Sequence, residues 1–321
     1  MHARICCDKV NPHIEGRTTV SGAYPSILDE LGRGAPVKLV NIGGGCIANA
    51  RVATFEDGSK VLVKCAVGAP KMFKPNMFKR EAEGLRALAA AAAIRVPDVL
   101  AVDEQALVLE MMRQAPKKRG FFESFGQDFA LLHSHRGKAC GFGHDNFIGS
   151  TSQLNQPLGG PWDEAADDGS TWPEFFMERR LRFQVRLAMS EGYGSELEHL
   201  LGRAETRIIE LLSTTIEVPS ILHGDLWSGN FMVDDRGEAC LIDPAVYYGH
   251  READLAMTRL FGGFEPAFYD AYAEAWPLDP GHEDRLPIYQ LYHLLNHLNL
   301  FGGGYFGQSK RILQHYARNT A

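Results

Sequence analysis

The sequence predicts an α+β fold in two lobes: a small N-terminal antiparallel sheet with one helix, then a larger, mainly helical lobe. Three observations support this. The chain has 321 residues, enough for two units that each bury a core. Short apolar runs separated by turn residues dominate residues 37–111, and amphipathic helical patterns dominate from Phe121 onward. We therefore expect a loosely ordered extension over 1–30, an N-terminal lobe over 31–112 and a C-terminal lobe over 113–321.

The N-terminal lobe combines strand, turn and helix signals. The Asp57-Gly58 pair joins two apolar runs and is a strong hairpin signal. Apolar residues at helical spacing predict a helix over Met77–Ala93, which should end before Val96-Pro97 because the residue before proline avoids helical backbone. Five runs of strand length predict the sheet: 37–40, 50–55, 60–65, 99–102 and 106–111.

The C-terminal lobe shows helical periodicity interrupted by one block of short strands. That block, Ile221–Ile242, is predicted as strand, loop and strand. A short helix is also expected at Ser26–Leu31, ahead of the sheet, with Gly32 as its stop signal. The helices predicted for the C-terminal lobe cover 121–133, 172–191, 197–212, 288–300 and 308–318.

The charge balance argues against several classes of partner. The net charge is −7, whereas binding to a phosphate backbone or an anionic membrane needs a basic surface. No stretch has the roughly 20 consecutive apolar residues that span a bilayer. Residues 1–20 lack the apolar core of a signal peptide. We therefore expect a cytoplasmic protein with no nucleic-acid and no membrane partner.

The strongest chemical signal is the run HGDLWSGN, followed by a second aspartate. Asn230 lies five residues after Asp225, and Asp243 follows an apolar run thirteen residues later. Phosphoryl transfer needs an acceptor hydroxyl held in line and a divalent metal that neutralises the phosphates. One loop aspartate can take or orient the hydroxyl proton, while the asparagine and the second aspartate bind the metal. A lone His-x-Asp would indicate only a capped turn, but the full spacing is typical of kinases.

A lysine at the end of a strand provides the second signal. Lys64 follows the apolar run Val61–Val63 and precedes a helix that carries Glu81, 17 residues on. Kinases use such a lysine on the ATP phosphates and hold it with a helix glutamate. Glu83 is the alternative partner. By itself a strand lysine is usually a solvated charge, and only its place in this order indicates a function.

A glycine cluster ahead of Lys64 is the third and weakest signal. Gly43, Gly44 and Gly45 precede Cys46, and glycines let backbone N–H groups approach a phosphate closely. The run matches neither the Walker motif nor the glycine loop of protein kinases, so its position carries the argument.

These motifs resemble those of the fructosamine kinases, relatives of the aminoglycoside phosphotransferases and choline kinases. The likeness covers roughly residues 37–310 and implies a protein-kinase-like fold. It rests on five runs: GGGCIANA, EAEGLRAL, GFGHDNFIGS, FFMERRL and LHGDLWSGN…LIDPAVYYGHREADLAM. The resemblance implies an ATP- and Mg²⁺-dependent kinase for the third hydroxyl of a ketosamine sugar. Because the phosphorylated product leaves the amine, such an enzyme repairs glycated proteins.

The resemblance also assigns roles in the catalytic and nucleotide sites. Asp225 is then the catalytic base, and Asn230 and Asp243 are the Mg²⁺ ligands. Lys64 with Glu81 holds the ATP phosphates. In the same way the glycine cluster with Cys46 covers the phosphates, and Glu110 to Met112 lie where the hinge touches adenine.

Three further residues are candidates for the acceptor pocket. Trp227 in the catalytic loop is a platform for the sugar or its amine, or else a packing residue. His293 and His297 lie four apart on a predicted helix and could line the pocket. A metal pair at that spacing is conceivable, but no third ligand is evident. Ordinary satisfied or solvent-facing histidines are the alternative.

Differences from protein kinases limit the function further. Gly224 stands where protein kinases place arginine, and Pro244-Ala245 replaces Phe-Gly. No Ala-Pro-Glu segment follows, so neither a phosphorylated activation loop nor a protein hydroxyl acceptor is expected. A cysteine at Cys46 resembles one that in some fructosamine kinases links two chains under oxidising conditions. The chain is therefore expected to be a monomer or a Cys46-linked homodimer.

Two rival functions are open from the sequence. One is a kinase of the same fold that acts on an aminoglycoside, choline or another small hydroxyl compound. The acidic cluster 163–168 could serve an aminoglycoside, although it more simply forms a solvated loop. The other rival is a nucleotide-binding pseudokinase, which the presence of Lys64, Asp225, Asn230 and Asp243 disfavours. Nothing in the sequence selects among fructosamine, ribulosamine and erythrulosamine.

Overall fold

The computed structural model describes residues 26–42, 49–65, 73–190 and 192–318. Its N-terminal part is a five-stranded antiparallel sheet in the order β1-β2-β3-β5-β4. A short 3-10 helix, Ser26–Leu31, precedes it, and helix α1, Met77–Ala90, packs on the sheet. The strands are β1 Lys38–Asn41, β2 Asn49–Thr54, β3 Lys60–Cys65, β4 Val99–Val102 and β5 Ala106–Glu110.

The alternation of side chains along β3 decides which of its residues face the cleft. Val61 and Val63 are buried in a small core beneath the 3-10 helix. The intervening residues, Leu62 and Lys64, therefore project from the opposite face, where α1 lies. The predicted Asp57-Gly58 turn forms the β2–β3 hairpin, with Gly58 at φ 79°.

Helices form most of the chain from Phe121 onward, in agreement with the predicted fold class. They are α2 Phe121–His133, α3 Trp172–Phe175, a π-helical segment Phe176–Arg182, α4 Phe183–Ser190, α5 Gly194–Leu212, α6 Glu252–Leu260, α7 Pro266–Ala275, α8 His282–Phe301, a 3-10 turn Gly303–Tyr305 and α9 Phe306–Arg318. The predicted 172–191 helix is thus α3, the π segment and α4 in sequence. No helix in the described ranges is long and apolar enough to cross a bilayer.

Three two-stranded sheets lie among these helices and carry the site loops. They are β6 Asn146–Ile148 with β7 Thr151–Gln153, β8 Ser220–Leu222 with β11 Tyr247–Gly249, and β9 Phe231–Val233 with β10 Ala239–Leu241. The chain leaves β8 at His223 and leaves β10 at Ile242, so these two strand ends deliver the predicted catalytic and metal residues. The lobe limits at 31 and 112 stay a prediction.

Candidate active site

The loop after β8 folds around Asp225 and Asn230. The Asn230 amide Nδ2 donates to the backbone oxygen of Asp225 at 2.8 Å and to its Oδ2 at 3.2 Å. The Asn230 N–H donates to the Trp227 oxygen at 3.0 Å, which closes the loop. Burial, reinforced by the nearby Asp243 carboxylate, raises the pKa of Asp225 well above its ordinary value. The sequence-predicted base and amide therefore lie in direct contact.

Gly224 allows this loop to lie directly on the segment after Asp243. Its φ is 82°, and a Cβ there would lie 2.0 Å from the Ala245 carbonyl oxygen. The Ala245 N–H in turn donates to the His223 oxygen at 2.8 Å. A larger residue, such as the arginine of protein kinases, has no room at this position.

Asp254 holds the loop that carries Asp225 through hydrogen bonds to its backbone, a role that was not predicted from the sequence. Its two carboxylate oxygens accept the N–H groups of His223 at 2.7 Å and Gly224 at 2.8 Å. His133 Nε2 donates to the same carboxylate at 3.3 Å. Burial would raise the pKa of Asp254, but these hydrogen bonds hold it below its ordinary value. A carboxylate inside the otherwise apolar run ADLAM was the available signal.

Lys64 contacts two carboxylates: the predicted partner Glu81, and Asp243, a contact that was not predicted. Its Nζ lies 2.5 Å from Glu81 Oε1 and also contacts Asp243 Oδ1. Burial opposes the charge on Lys64, but the two carboxylates outweigh it and raise the pKa of the ammonium above its usual range. The alternative partner, Glu83, contacts Arg80 at 2.8 Å and lies 2.7 Å from His144 Nε2.

Close packing fixes helix α1 against the segment that carries Asp243. A Cβ on Gly84 would lie 3.2 Å from Val246 Cγ2 and 3.6 Å from Pro244 Cγ. The backbone of α1 can therefore approach Pro244 and Val246 closely, one turn after Glu81. This contact brings Glu81 and Asp243 to the same ammonium group.

Asn230 and Asp243 offer oxygen ligands that suit Mg²⁺. Asp243 has a side chain that is 47% exposed toward the cleft. The Asn230 Nδ2 donates to Asp225, so the side-chain oxygen Oδ1 of Asn230 remains available to bind a metal. The Ile242 N–H donates to the backbone oxygen of Asn230 at 3.0 Å and ties the two loops together. Mg²⁺ commonly binds one or two protein ligands plus substrate phosphates, so the donor set fits.

Of the candidate hinge residues, Glu110 is held by a salt bridge and Met112 is buried. Glu110 Oε1 accepts a hydrogen bond from Arg95 Nη2 at 2.7 Å, and Arg95 also pairs with Asp234 and Asp235. The side chain of Glu110 is thus engaged, and its backbone N–H donates to the Asp98 oxygen at 2.9 Å. Met112 is buried. The adenine contact stays a prediction.

The three acceptor candidates differ in how they lie relative to Asp225. The buried His293 Nδ1 lies 3.8 Å from Asp225 Oδ1 and has no hydrogen-bond partner among the described residues. Burial lowers the pKa of His293 to about 3, so the ring is neutral. His297 Nδ1 donates to the His293 carbonyl at 2.8 Å, and its ring packs on Phe261, which also meets Trp227 edge-on.

The structure gives no support for a histidine metal site, and the glycine cluster lies outside the residues that it describes. Within the residues that the structure describes, no group of three or more His, Cys, Asp and Glu side chains could hold a metal, so no third ligand of these types joins His293 and His297. Gly43, Gly44, Gly45 and Cys46 lie outside the described residues. Their predicted contact with the phosphates therefore stays a prediction.

Comparisons with known proteins identify relatives of this chain. The family model described as fructosamine kinase matches residues 26–319. A probable ketoamine kinase of a Synechocystis species is 38% identical over 283 residues, which is 87% of this chain and 90% of that protein. The chloroplastic protein-ribulosamine 3-kinase of Arabidopsis thaliana is 36% identical over 88% of this chain and 83% of its own.

Solved structures confirm the predicted protein-kinase-like fold. A crystal structure assigned as a fructosamine-3-kinase from Thermobifida fusca gives a TM-score of 0.79 at 31% identity, over 91% of this chain and 99% of that one. An aminoglycoside phosphotransferase gives 0.57 at 13% identity over 92% of this chain and 99% of that one, a likeness of fold alone. The extent of the family match, together with the two relatives above 35% identity, shows that the chain belongs to the fructosamine kinase family and is an ATP-binding phosphotransferase.

Proposed function

We propose that this protein transfers the γ-phosphate of ATP to the third hydroxyl of the sugar in a ketosamine. One observation carries the proposal: Asp225 and Asn230 lie in contact on one loop, and Lys64 joins Glu81 to Asp243 beside them. This is the arrangement that phosphoryl transfer requires. Family membership and the printed names of the relatives supply the substrate class.

Each residue then has a defined task. Asp225 takes the proton of the attacking hydroxyl as its oxygen bonds to the γ-phosphorus and ADP leaves. Lys64 binds the phosphates and keeps its orientation through Glu81. Asn230 and Asp243 would hold Mg²⁺, which neutralises phosphate charge when bound.

The acceptor side favours a neutral, hydroxyl-rich sugar that carries an amine. The neutral His293 can exchange hydrogen bonds with hydroxyl groups, because its free Nδ1 faces Asp225. Trp227 follows Asp225 by two residues in the same loop, and an aromatic ring attracts a cationic amine. The phosphorylated ketosamine then sheds its sugar, which makes deglycation the role we propose. A cytoplasmic location, and either a monomer or a homodimer linked through Cys46, belong to the same proposal.

The decisive assay measures phosphate transfer from γ-labelled ATP to a panel of acceptors. The panel holds ribulosyl-lysine, fructosyl-lysine, kanamycin and choline, with and without Mg²⁺. Labelling of the ketosamines alone supports the proposal and ranks the sugars. Labelling of kanamycin or choline instead would overturn the substrate class, and nucleotide-dependent stabilisation without any transfer would favour a pseudokinase.

Replacement of Lys64 with Met should weaken catalysis, because it removes the charged donor that we propose binds the ATP phosphates. A hydrogen bond to a charged group contributes about 1.5 to 3 kcal/mol, so we expect kcat/KM for ATP to fall about ten- to hundredfold. The matched control is Lys79→Met, since Lys79 lies 43% exposed on α1 and pairs with Glu104 at 3.4 Å. Steady-state kinetics at varied ATP measures both. An unchanged kcat/KM for ATP in Lys64→Met would disprove the assignment.

A further inference from the structure

The hairpin β6–β7 carries a buried glutamine whose side-chain amide forms three hydrogen bonds. Gln153 is only 1% exposed. Its Nε2 donates to Asn146 Oδ1 at 2.8 Å and to the Ala245 carbonyl at 2.9 Å, while its Oε1 accepts the Tyr292 hydroxyl at 2.8 Å. Both amide hydrogens and one oxygen lone pair are therefore used. The GFGHDNFIGS run ends just ahead of this residue, and the mechanism above gives that run no task.

The two ends of the Gln153 amide connect different halves of the active site. Ala245 follows Asp243 by two residues, and its N–H binds the carbonyl of His223 in the catalytic loop. Tyr292 precedes His293 on α8, and the His293 ring faces Asp225. One end of the amide thus contacts the segment that carries the base and metal residues, and the other contacts the helix that lines the acceptor pocket.

A surrounding polar frame fixes the position of Gln153. Asn146 Nδ2 donates to the Val246 carbonyl at 2.7 Å, and Asn155 Nδ2 donates to Asn146 Oδ1 at 2.9 Å. Arg180, fully buried in the π-helical segment, donates to Asn155 Oδ1 at 2.8 Å. Among the described residues Arg180 Nε has no hydrogen-bond partner, but the amide groups of Asn146, Gln153 and Asn155 are all hydrogen-bonded, and buried polar networks of this kind are rigid and specify one arrangement. The GFGHDNFIGS and FFMERRL runs therefore meet in a single frame behind the active site.

We propose that Gln153 is a positioning residue that sets the acceptor helix α8 against the segment carrying Asp243. The inference rests on the proposed function, because it concerns how an acceptor is aligned with the γ-phosphate. In this role the amide sets where the acceptor hydroxyl lies relative to Asp225. A misplacement of about 1 Å is enough to lower transfer roughly a hundredfold. Hydrolysis of ATP by water needs no such alignment of α8.

Two variants break this connection in different ways. Tyr292→Phe removes the bond from Gln153 to α8, together with the contact of the same hydroxyl with Gln184, and leaves both bonds from Nε2 in place. Gln153→Met removes the bonds at both ends and leaves the Ala245 carbonyl and the Tyr292 hydroxyl without their partner. The matched control is Tyr289→Phe, because Tyr289 lies on the same helix, is equally buried, and accepts from the Trp172 indole instead.

The experiment compares phosphate transfer to ribulosyl-lysine with ATP hydrolysis in the absence of an acceptor. In Tyr292→Phe we expect transfer to fall about tenfold or more while basal hydrolysis stays within about twofold, as misalignment of the acceptor alone would produce. In Gln153→Met transfer should fall further. Tyr289→Phe should leave the ratio of transfer to hydrolysis unchanged.

The double variant Gln153→Met/Tyr292→Phe separates positioning from folding. It removes the orphaned hydroxyl, so its melting temperature should rise above that of Gln153→Met. If transfer stays low while stability returns, the positioning role is supported; if transfer returns with stability, Gln153 is merely structural and the inference is overturned. An equal loss of transfer and hydrolysis in Tyr292→Phe would overturn it as well. Failure of the unmodified protein to label ribulosyl-lysine would instead count against the proposed function.

Discussion

Replacement of Asp225 with Asn should abolish most turnover while leaving the nucleotide site intact. General-base catalysis contributes about 10² to 10⁴ in rate, and we expect a loss of kcat in that range. The amide is close in shape to the carboxylate but cannot accept the hydroxyl proton. ATP affinity should stay within about twofold because Lys64, Glu81 and Asp243 are unchanged, and ATP contacts them rather than the base. Single-turnover phosphate transfer and nucleotide-dependent thermal shifts measure the two quantities.

A surface aspartate provides the matched control for this variant. The Asp163 side chain is 97% exposed, and its ion pair with Lys138, at 3.8 Å, lies at the surface. Asp163→Asn should therefore match the unmodified protein in both measurements. If Asp225→Asn keeps turnover within a few-fold of the control, Asp225 is not the base. If it loses nucleotide binding as well, the substitution has damaged the fold and a Glu variant is needed to restore the carboxylate.

Replacement of Asp254 with Asn should lower both stability and activity. The two carboxylate oxygens each accept one backbone N–H. An amide has one acceptor oxygen, so its NH₂ group faces one of these donors and leaves it unsatisfied, at a cost of about 1 to 3 kcal/mol. The loop that carries Asp225 then loses its anchor, and displacement of the base should lower kcat about a hundredfold. Urea unfolding and steady-state kinetics provide the two readouts.

The control for Asp254 is another helix aspartate. Asp270 lies exposed on α7, and Asp270→Asn should change neither the free energy of unfolding nor kcat. A normal kcat in Asp254→Asn despite lower stability would show that the anchor serves folding alone. Unchanged stability would mean that both backbone N–H groups find other partners.

Local patterns predicted the sheet and the contact between Lys64 and Glu81. The Asp57-Gly58 turn and the apolar alternation of β3 depend on neighbouring residues, so the sequence contains them directly. Spacing also placed Asp225 against Asn230, since five residues close one loop. The helix α1 was predicted through Ala93 and ends at Ala90, within the usual uncertainty of helix ends.

Other features depend on packing between distant segments and escaped prediction. The hairpin β6–β7 has strands of only three residues, too short for alternation to be visible. Asp254 receives its role from backbone groups 30 and 31 residues earlier in the chain. Gln153 meets Tyr292, which lies 139 residues later. No local periodicity encodes such partners.

The tight fit at Gly84 has a consequence for control of the enzyme. Any outward swing of α1 would separate Glu81 from Lys64, and it would also open a void between Gly84 and the side chains of Pro244 and Val246. Protein kinases commonly switch off through that swing. Here we expect the helix to stay engaged, so that the rate follows the supply of ATP and acceptor. We therefore expect such a kinase to be constitutively active rather than switched on and off by a regulatory signal.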